Sequence, residues 1–212
     1  MTTVLLTGFE PFAGDPTNPS GDAVTRVAAE WDGPAELLTA ILPVEFDRAA
    51  KLVGELVRQA APDIVIATGL AGGRGAITPE RIAINLRDAR IPDNAGSQPV
   101  DAPCVPGAPL AYASSLPVTA IAHELAARGI PAHVSLSAGS FVCNDVFFAI
   151  AHLSTTTPGL RAGFIHVPWD TENAPAGVAS LPHATIANAI DSAIRTTLAR
   201  TRDLEIPSGH VH

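Results

Sequence analysis

The chain has 212 residues, 47% of them hydrophobic and 16% charged, with a formal net charge of −8 from thirteen basic and twenty-one acidic side chains. That length supports one sizeable core and no linker divides it, so a single domain over residues 1–212 is expected. No Lys/Arg stripe is present to hold a nucleic-acid backbone, and no apolar run approaches the roughly 20 residues of a membrane span.

Residues 3–9, TVLLTGF, form a short apolar run ending at Gly-Phe, as a buried strand would. The Pro- and Gly-rich stretch 10–22 reads as a loop, with Ser20 as the cap of a helix running to about Trp31. A second strand is expected over 35–44. Phe46, Ala49, Ala50, Val53, Leu56 and Val57 then recur at helical spacing over 46–60. DIVIATG, 63–69, reads as a third strand, with LAGGRGA as a flexible loop after it. Residues 77–91 alternate in part and are expected to hold a strand. Residues 92–109, rich in Pro, Gly and Asp, form a long excursion of the kind compact domains use functionally. A helix over 116–129 has Pro near its start and Gly at its end. A strand over 130–138, a helix from Cys143 to about Leu153, a strand over 161–169 and a last helix over 182–201 follow. The tail from about residue 203 is expected to be loose.

Strands and helices alternate throughout, and the strands are continuously apolar. That pattern predicts an α/β protein with a mostly parallel, twisted sheet covered on both faces. Ligand sites in such sheets gather at the carboxyl ends of strands, so the turns after 3–9, 63–69, 132–138 and 161–167 are the places for a site. The two cysteines, Cys104 and Cys143, form no C-x-x-C motif and are too few for a disulfide framework, which favours a reducing, cytoplasmic setting. The opening MTTVLLTGFEPF lacks the basic start and cleavage site of a signal peptide.

Cys143 lies in SAGSFVCNDVFF, where a Gly-Ser turn precedes an apolar helix. Beside Phe141 and Val142, an unpaired cysteine is most often inert core. A thiol in the first turn of a helix, however, feels the positive end of the dipole, which lowers its pKa. His166, at the end of GFIHV, reads either as a satisfied core imidazole or as the base that takes the thiol proton and later protonates a leaving amine. Glu80, Asp88, Asp145 and Asp170 are all candidates to orient that imidazole, and spacing does not choose among them.

Four segments, LLTGFEPFAGDPTNPS, GLAGGRGAITPERIAINLRDARIPDN, SLSAGSFVCND and GFIHVPW, resemble in this order those of the pyrrolidone-carboxylate peptidases, or pyroglutamyl peptidases of type I. The likeness runs to about residue 170 and weakens through the last helix. It implies a single three-layer α/β/α domain. It also implies a cysteine-type omega-peptidase that removes an N-terminal pyroglutamyl residue through a thioester, with Cys143 as nucleophile, His166 as base and Glu80 as the orienting carboxylate. Phe9, Phe12, Ile91, Phe141 and Val142 then match the family's lactam pocket, with Asn18 supporting the first loop. Arg90 and the backbone N–H of Cys143 are the implied oxyanion donors. Leu70 stands where the family pattern commonly has glutamine and offers no side-chain hydrogen bond; nothing is lost if the lactam is recognised by the backbone there, and affinity or specificity changes if it is recognised by the side chain.

No metal or cofactor is implied. The expected partners are N-terminally blocked peptides and further copies of the chain, up to a tetramer. Two rivals remain. ATGLAGGRG could be a phosphate loop of a nucleotide-binding or small-molecule-binding protein, although it lacks both GxGxxG spacing and GK[ST]. A redox or metal role would rest on the two cysteines or the HVH tail.

Overall fold

The computed structural model describes residues 1–207. In chain order the first elements are β1 (Thr3–Phe9), α1 (Pro19–Glu30), β2 (Glu36–Leu42), α2 (Arg48–Ala60) and β3 (Ile64–Leu70). Then come β4 (Thr78–Pro79), β5 (Ile82–Ile84), β6 (Ala111–Ala113), α3 (Val118–Ala127) and α4 (Val142–Thr156). The chain continues through β7 (Arg161–Val167), β8 (Trp169–Asp170), β9 (Ser180–Leu181) and α5 (His183–Ala199).

The apolar runs around residues 3–9, 35–44, 63–69 and 161–169 become the centre of a five-stranded sheet in the order β2-β1-β3-β7-β4. The first four strands are parallel, and the short β4 lies antiparallel on β7 with Thr78 opposite His166. Because alternate residues of a strand face opposite ways, the sheet has two apolar faces. Leu5, Val65, Ala67, Ala162 and Phe164 pack with Val53 and Val57 of α2 and Val146, Phe147 and Ile150 of α4. Val4, Leu6, Ile64, Ile66, Ile165 and Val167 pack with α1, α3 and α5 through Val24, Ile121, Leu125, Ile186 and Ile190. The result is three layers, α/β/α, with each fully buried Leu, Ile or Phe contributing about 1.5–3 kcal/mol.

The start of α1 lies directly against the end of β1: a Cβ at Gly8 would sit 2.6 Å from Ser20 O. Its cap is Asn18, not Ser20 as expected. Asn18 Oδ1 accepts from Ser20 N at 3.1 Å, while the Ser20 hydroxyl accepts from Phe9 N at 3.1 Å and so ties helix to strand. With the cap two residues earlier than expected, the Ser20 hydroxyl donates to Asn18 Oδ1 at 2.9 Å and its lone pair is left for Phe9 N.

The strand expected over 130–138 does not form as a ladder. The segment runs extended beside 77–81 and makes two isolated parallel bridges, Ile77 to Ala132 and Glu80 to Ser135. Pro131 lacks a donor, and the turn-forming Ser137 and Gly139 end the run. Residues 92–109 carry no regular element, yet they are pinned. The buried Asp93 carboxylate accepts from Phe46 N at 2.7 Å, Ala95 N at 2.9 Å and Ser97 N at 2.8 Å. The looseness expected from residue 203 does not hold there either. Asp203 accepts from Thr119 N at 3.0 Å and Ala120 N at 2.9 Å, capping α3, whose own N-cap Pro117 has no side chain to do so. Such a cap is worth about 1 kcal/mol. The HVH tail lies outside the described residues.

Candidate active site

At the carboxyl ends of the parallel strands a cavity of about 320 Å³ opens among the turns after β1, β2 and β3, the end of β7 and the segment that leads into α4. Its lining includes Phe9, Phe12, Asn18, Leu70, Phe141, Val142, Cys143 and His166. The walls are mostly apolar, with Asp15, Thr17, Asn18 and Arg74 supplying polar groups.

Cys143 is the second residue of α4. The next residue, Asn144, is fully buried and holds the helix start in place. Its amide donates to Ile84 O at 2.8 Å and Leu86 O at 3.1 Å, and its oxygen accepts from Ile84 N at 3.0 Å. Asp145 N–H is bonded to Phe141 O at 3.1 Å, and the amides before it fall outside the helical ladder. The Cys143 N–H is therefore free of an intrahelical acceptor.

His166 and Gly69 are register partners on β7 and β3. Side chains at paired positions of parallel strands point to the same face. Gly69 has no side chain, and a Cβ built there would lie 2.8 Å from Cys143 Sγ and 2.8 Å from Phe164 Cζ. The thiol therefore occupies the space above Gly69, on the face from which the His166 imidazole projects. Gly69→Ala is expected to displace the thiol and lower kcat about 100-fold, with a stability loss of only about 1–3 kcal/mol. Steady-state kinetics beside a thermal melt checks this; unchanged kcat would mean that the sulfur tolerates the shift.

Glu80 is wholly buried. Its backbone is held between β7 and the 130–138 segment by Glu80 N to Phe164 O at 2.9 Å and Arg81 N to Ser135 O at 2.8 Å. Its Oε1 lies 2.8 Å from His166 Nδ1. The same oxygen accepts from Arg74 Nη1 at 2.6 Å. Burial pushes the Glu80 carboxyl upward, but His166, Ser135 and Arg74 together outweigh it and hold the group below its ordinary value. Burial lowers the pKa of His166 against the raising effect of Glu80. The imidazole is then neutral beside an ionised carboxylate. A carboxylate only accepts, so Nδ1 carries the proton and Nε2 keeps a free lone pair.

The thiol does not behave as the helix dipole alone would have it. Burial, with the Glu80 charge second, pushes the Cys143 thiol up to about 12, against the lowering effect of Arg74. The residue remains part-exposed at the cavity. It is an uncharged thiol within reach of a small ligand and in need of a base. The second cysteine is different: Cys104 is buried, its thiol also raised to about 12, first by burial and then by Asp145. It lies outside the cavity lining.

Phe12 and Phe46 flank Phe141, with ring centroids 5.4 and 5.1 Å away. Behind Phe46 sits the Arg87 guanidinium, itself bound to the buried Asp145 at 2.7 Å. Of the carboxylates left open by spacing, Asp145 is thus engaged with Arg87. Asp170 is buried and accepts from Glu172 N and both nitrogens of Asn173, Asp88 is outside the cavity lining, and only Glu80 meets the imidazole. Arg90 and Ile91 do not join the site: both are exposed and outside the lining. The chain is pinned just before them, by Asp88 N to Ser140 O at 3.0 Å and Ala89 N to Pro99 O at 2.8 Å, and just after them by Asp93 N to Ser97 O at 2.9 Å. Arg74, Thr17 and Asp15 line the cavity without having been singled out in the sequence. The GGR of the Gly-rich loop was the only signal for Arg74.

A neutral thiol at a helix start, an imidazole on the facing strand and a buried carboxylate behind it, on a three-layer α/β/α fold, define a hydrolase of the cysteine-peptidase class. A family model described as pyroglutamyl peptidase matches residues 2–200. The chain belongs to the pyroglutamyl peptidase family. It is 45% identical to the pyrrolidone-carboxylate peptidase of Clavibacter michiganensis over 99% of both chains. It is 46% identical to that of Streptomyces coelicolor over 100% of both. Among solved structures, pyroglutamyl peptidase I of Bacillus amyloliquefaciens superposes with a TM-score of 0.92 at 43% identity, covering 96% of this chain and 100% of that one. The pyrrolidone carboxyl peptidase of Thermococcus litoralis gives 0.91 at 40% identity, covering 98% and 100%.

Proposed function

We propose that the protein removes an N-terminal pyroglutamyl residue from peptides, with Cys143 as nucleophile, His166 as general base and acid, and Glu80 as the group that fixes the imidazole. The observation that carries this reading is the shared cavity: thiol and imidazole open onto one small, mostly apolar slot in a chain of this family. A pyroglutamyl ring has no charged amine, so it calls for apolar walls and a few fixed hydrogen bonds rather than a carboxylate anchor. Phe9, Phe12, Phe141, Val142 and Leu70 supply the walls, and Asn18 braces the first loop by donating to Glu10 O at 2.9 Å.

In the reaction, His166 Nε2 takes the Cys143 proton as sulfur attacks the pyroglutamyl carbonyl. The oxyanion is met by the N–H of Cys143, which has no intrahelical acceptor. Arg90 takes no part in this reading. The amine leaves with the proton held by His166, which gives a thioester on Cys143. Water deprotonated by the same imidazole then releases pyroglutamate. With Leu70 in the lining, recognition of the lactam at that position falls to the backbone. Residence in the cytoplasm and assembly into a homotetramer complete the proposal. The free Cys104 and Cys143 favour the first, and the exposed Val100 on the long excursion and Leu110 just after it offer apolar surface for the second.

The test is hydrolysis of a pyroglutamyl anilide against the matching prolyl anilide, before and after iodoacetamide, with mass spectrometry locating the label. Cleavage of the first only, abolished by alkylation at Cys143, is expected. Activity that survives full labelling of Cys143 would remove the thiol from the reaction. The nucleotide-binding alternative has no cationic cradle to rest on, since the Arg74 of the Gly-rich loop folds back onto Glu80.

A further inference from the structure

Arg74 is the one residue of the Gly-rich loop whose side chain crosses the site. It leaves the β3–β4 loop from a turn closed by Arg74 N to Ala71 O at 2.9 Å. Nη1 donates to Thr78 Oγ1 and to Glu80 Oε1, each at 2.6 Å. Nη2 donates to Ser137 O at 2.8 Å. Leu70 and Ala71 line the cavity from Arg74's own loop, and Ala138 and Gly139, just past Ser137, line it from the segment that leads into α4. One guanidinium thus spans two walls of the slot and touches the carboxylate behind the imidazole.

We propose that Arg74 is a positioning residue with two separable actions: its charge offsets that of Glu80 beside the thiol and imidazole, and its forked donors tie the Gly-rich loop to the 137–139 wall of the lactam slot. This rests on the peptidase reading above. The two actions separate because a lysine retains the charge but cannot reproduce a planar fork to three acceptors.

The charge action has a definite sign. The charged groups near the thiol and imidazole are Glu80 and Arg74, with Asp15 also on the cavity lining; Asp145 on α4 is engaged with Arg87. Arg74 lowers the pKa of both Cys143 and His166. Removing that cation makes the first proton harder to lose whichever of the two groups gives it up. The acid limb therefore moves to higher pH in either protonation scheme.

The experiment uses the full chain with Arg74→Gln and Arg74→Lys. It reads kcat and KM for a pyroglutamyl anilide across pH, and separately the pH dependence of Cys143 alkylation by iodoacetamide. In Arg74→Gln the acid limb of alkylation and of kcat/KM is expected to rise by about one pH unit, with KM up about fivefold or more as the wall loosens. Arg74→Lys is expected to return the limb to its wild-type position while KM stays high. An unmoved limb in Arg74→Gln, or a lysine variant that shares a displaced limb, would overturn the charge action. A wild-type KM in Arg74→Lys would overturn the fork. Should the glutamine variant fail to fold, the lysine variant alone still decides between a split and a joint effect. Alkylation needs no turnover, so a wild-type protein that cleaves no pyroglutamyl anilide would refute the peptidase reading while leaving Arg74 still measurable.

Discussion

Cys143→Ala is expected to abolish cleavage of a pyroglutamyl anilide, with kcat falling on the order of 10⁵-fold, while the protein still folds and binds. The loss is total because no other nucleophile lines the cavity beside the imidazole, apart from the Thr17 hydroxyl in the opposite loop. Folding survives because Cys143 is part-exposed and its sulfur makes no structural bridge. The helix start is fixed instead by the three hydrogen bonds of Asn144. Cys143→Ser should fare little better. Its hydroxyl, with a far higher intrinsic pKa than the thiol, would need the same neutral imidazole to remove a much less acidic proton. Kinetics on both variants, with pyroglutamate binding followed by calorimetry, checks the pair of statements. Turnover by the alanine form within about tenfold of wild type would refute the nucleophile assignment.

Glu80→Gln carries the second large effect, expected at about 10³- to 10⁴-fold in kcat. The reason is the lost charge. Arg74 Nη1 and His166 Nδ1 both use Glu80 Oε1. A glutamine oxygen at that position, with its two lone pairs, still accepts from both. The neutral amide, however, no longer stabilises the imidazolium that forms as the sulfur gives up its proton. The pH profile moves as well. Glu80 raises the pKa of His166, so its neutralisation shifts the acid limb to lower pH, opposite in sign to the Arg74→Gln shift. A profile that moved upward instead would contradict an ionised Glu80.

The same pair makes the fold acid-sensitive. Glu80 is held below its ordinary value of 4.5, so its contribution is present above that pH and is lost as pH falls through the lower folded value. His166 is held below its ordinary 6.5, so stability begins to fall once the pH drops under that figure and the unfolded chain takes up the proton. Glu80→Gln should flatten the lower part of that decline, which urea midpoints between pH 3 and 7 would show (about four points suffice).

Much of the architecture is legible along the chain because it is written in local pattern. The continuous apolar runs that became β1, β3 and β7 lie within a residue or two of their expected bounds. Helical spacing over 46–60 marked α2, which spans Arg48–Ala60. Segments with weak local signals fared worse. The 130–138 run looked like a strand by composition, yet whether it forms a ladder depends on what lies beside it, and Pro131 leaves only isolated bridges. Asp203 looked like part of a loose end because its partners, Thr119 and Ala120, are more than eighty positions away along the chain.

For the site, residue types and order pointed to a thiol, an imidazole and a set of four carboxylates, and the family likeness selected one of them. The side chains of Arg90 and Ile91 followed the same likeness but turn to solvent, because hydrogen bonds at Asp88 and Ala89 set the course of that loop. Composition and periodicity report only on neighbours along the chain; they decided that strands alternate with helices and that a cysteine begins one of those helices. The missing side chain of Gly69 that makes room for the sulfur, the arginine that shares an oxygen with the imidazole, and the desolvation that keeps the thiol protonated all depend on groups far apart in the chain. Distance and burial are sums over such groups, and they take their values only once the sheet has closed around them.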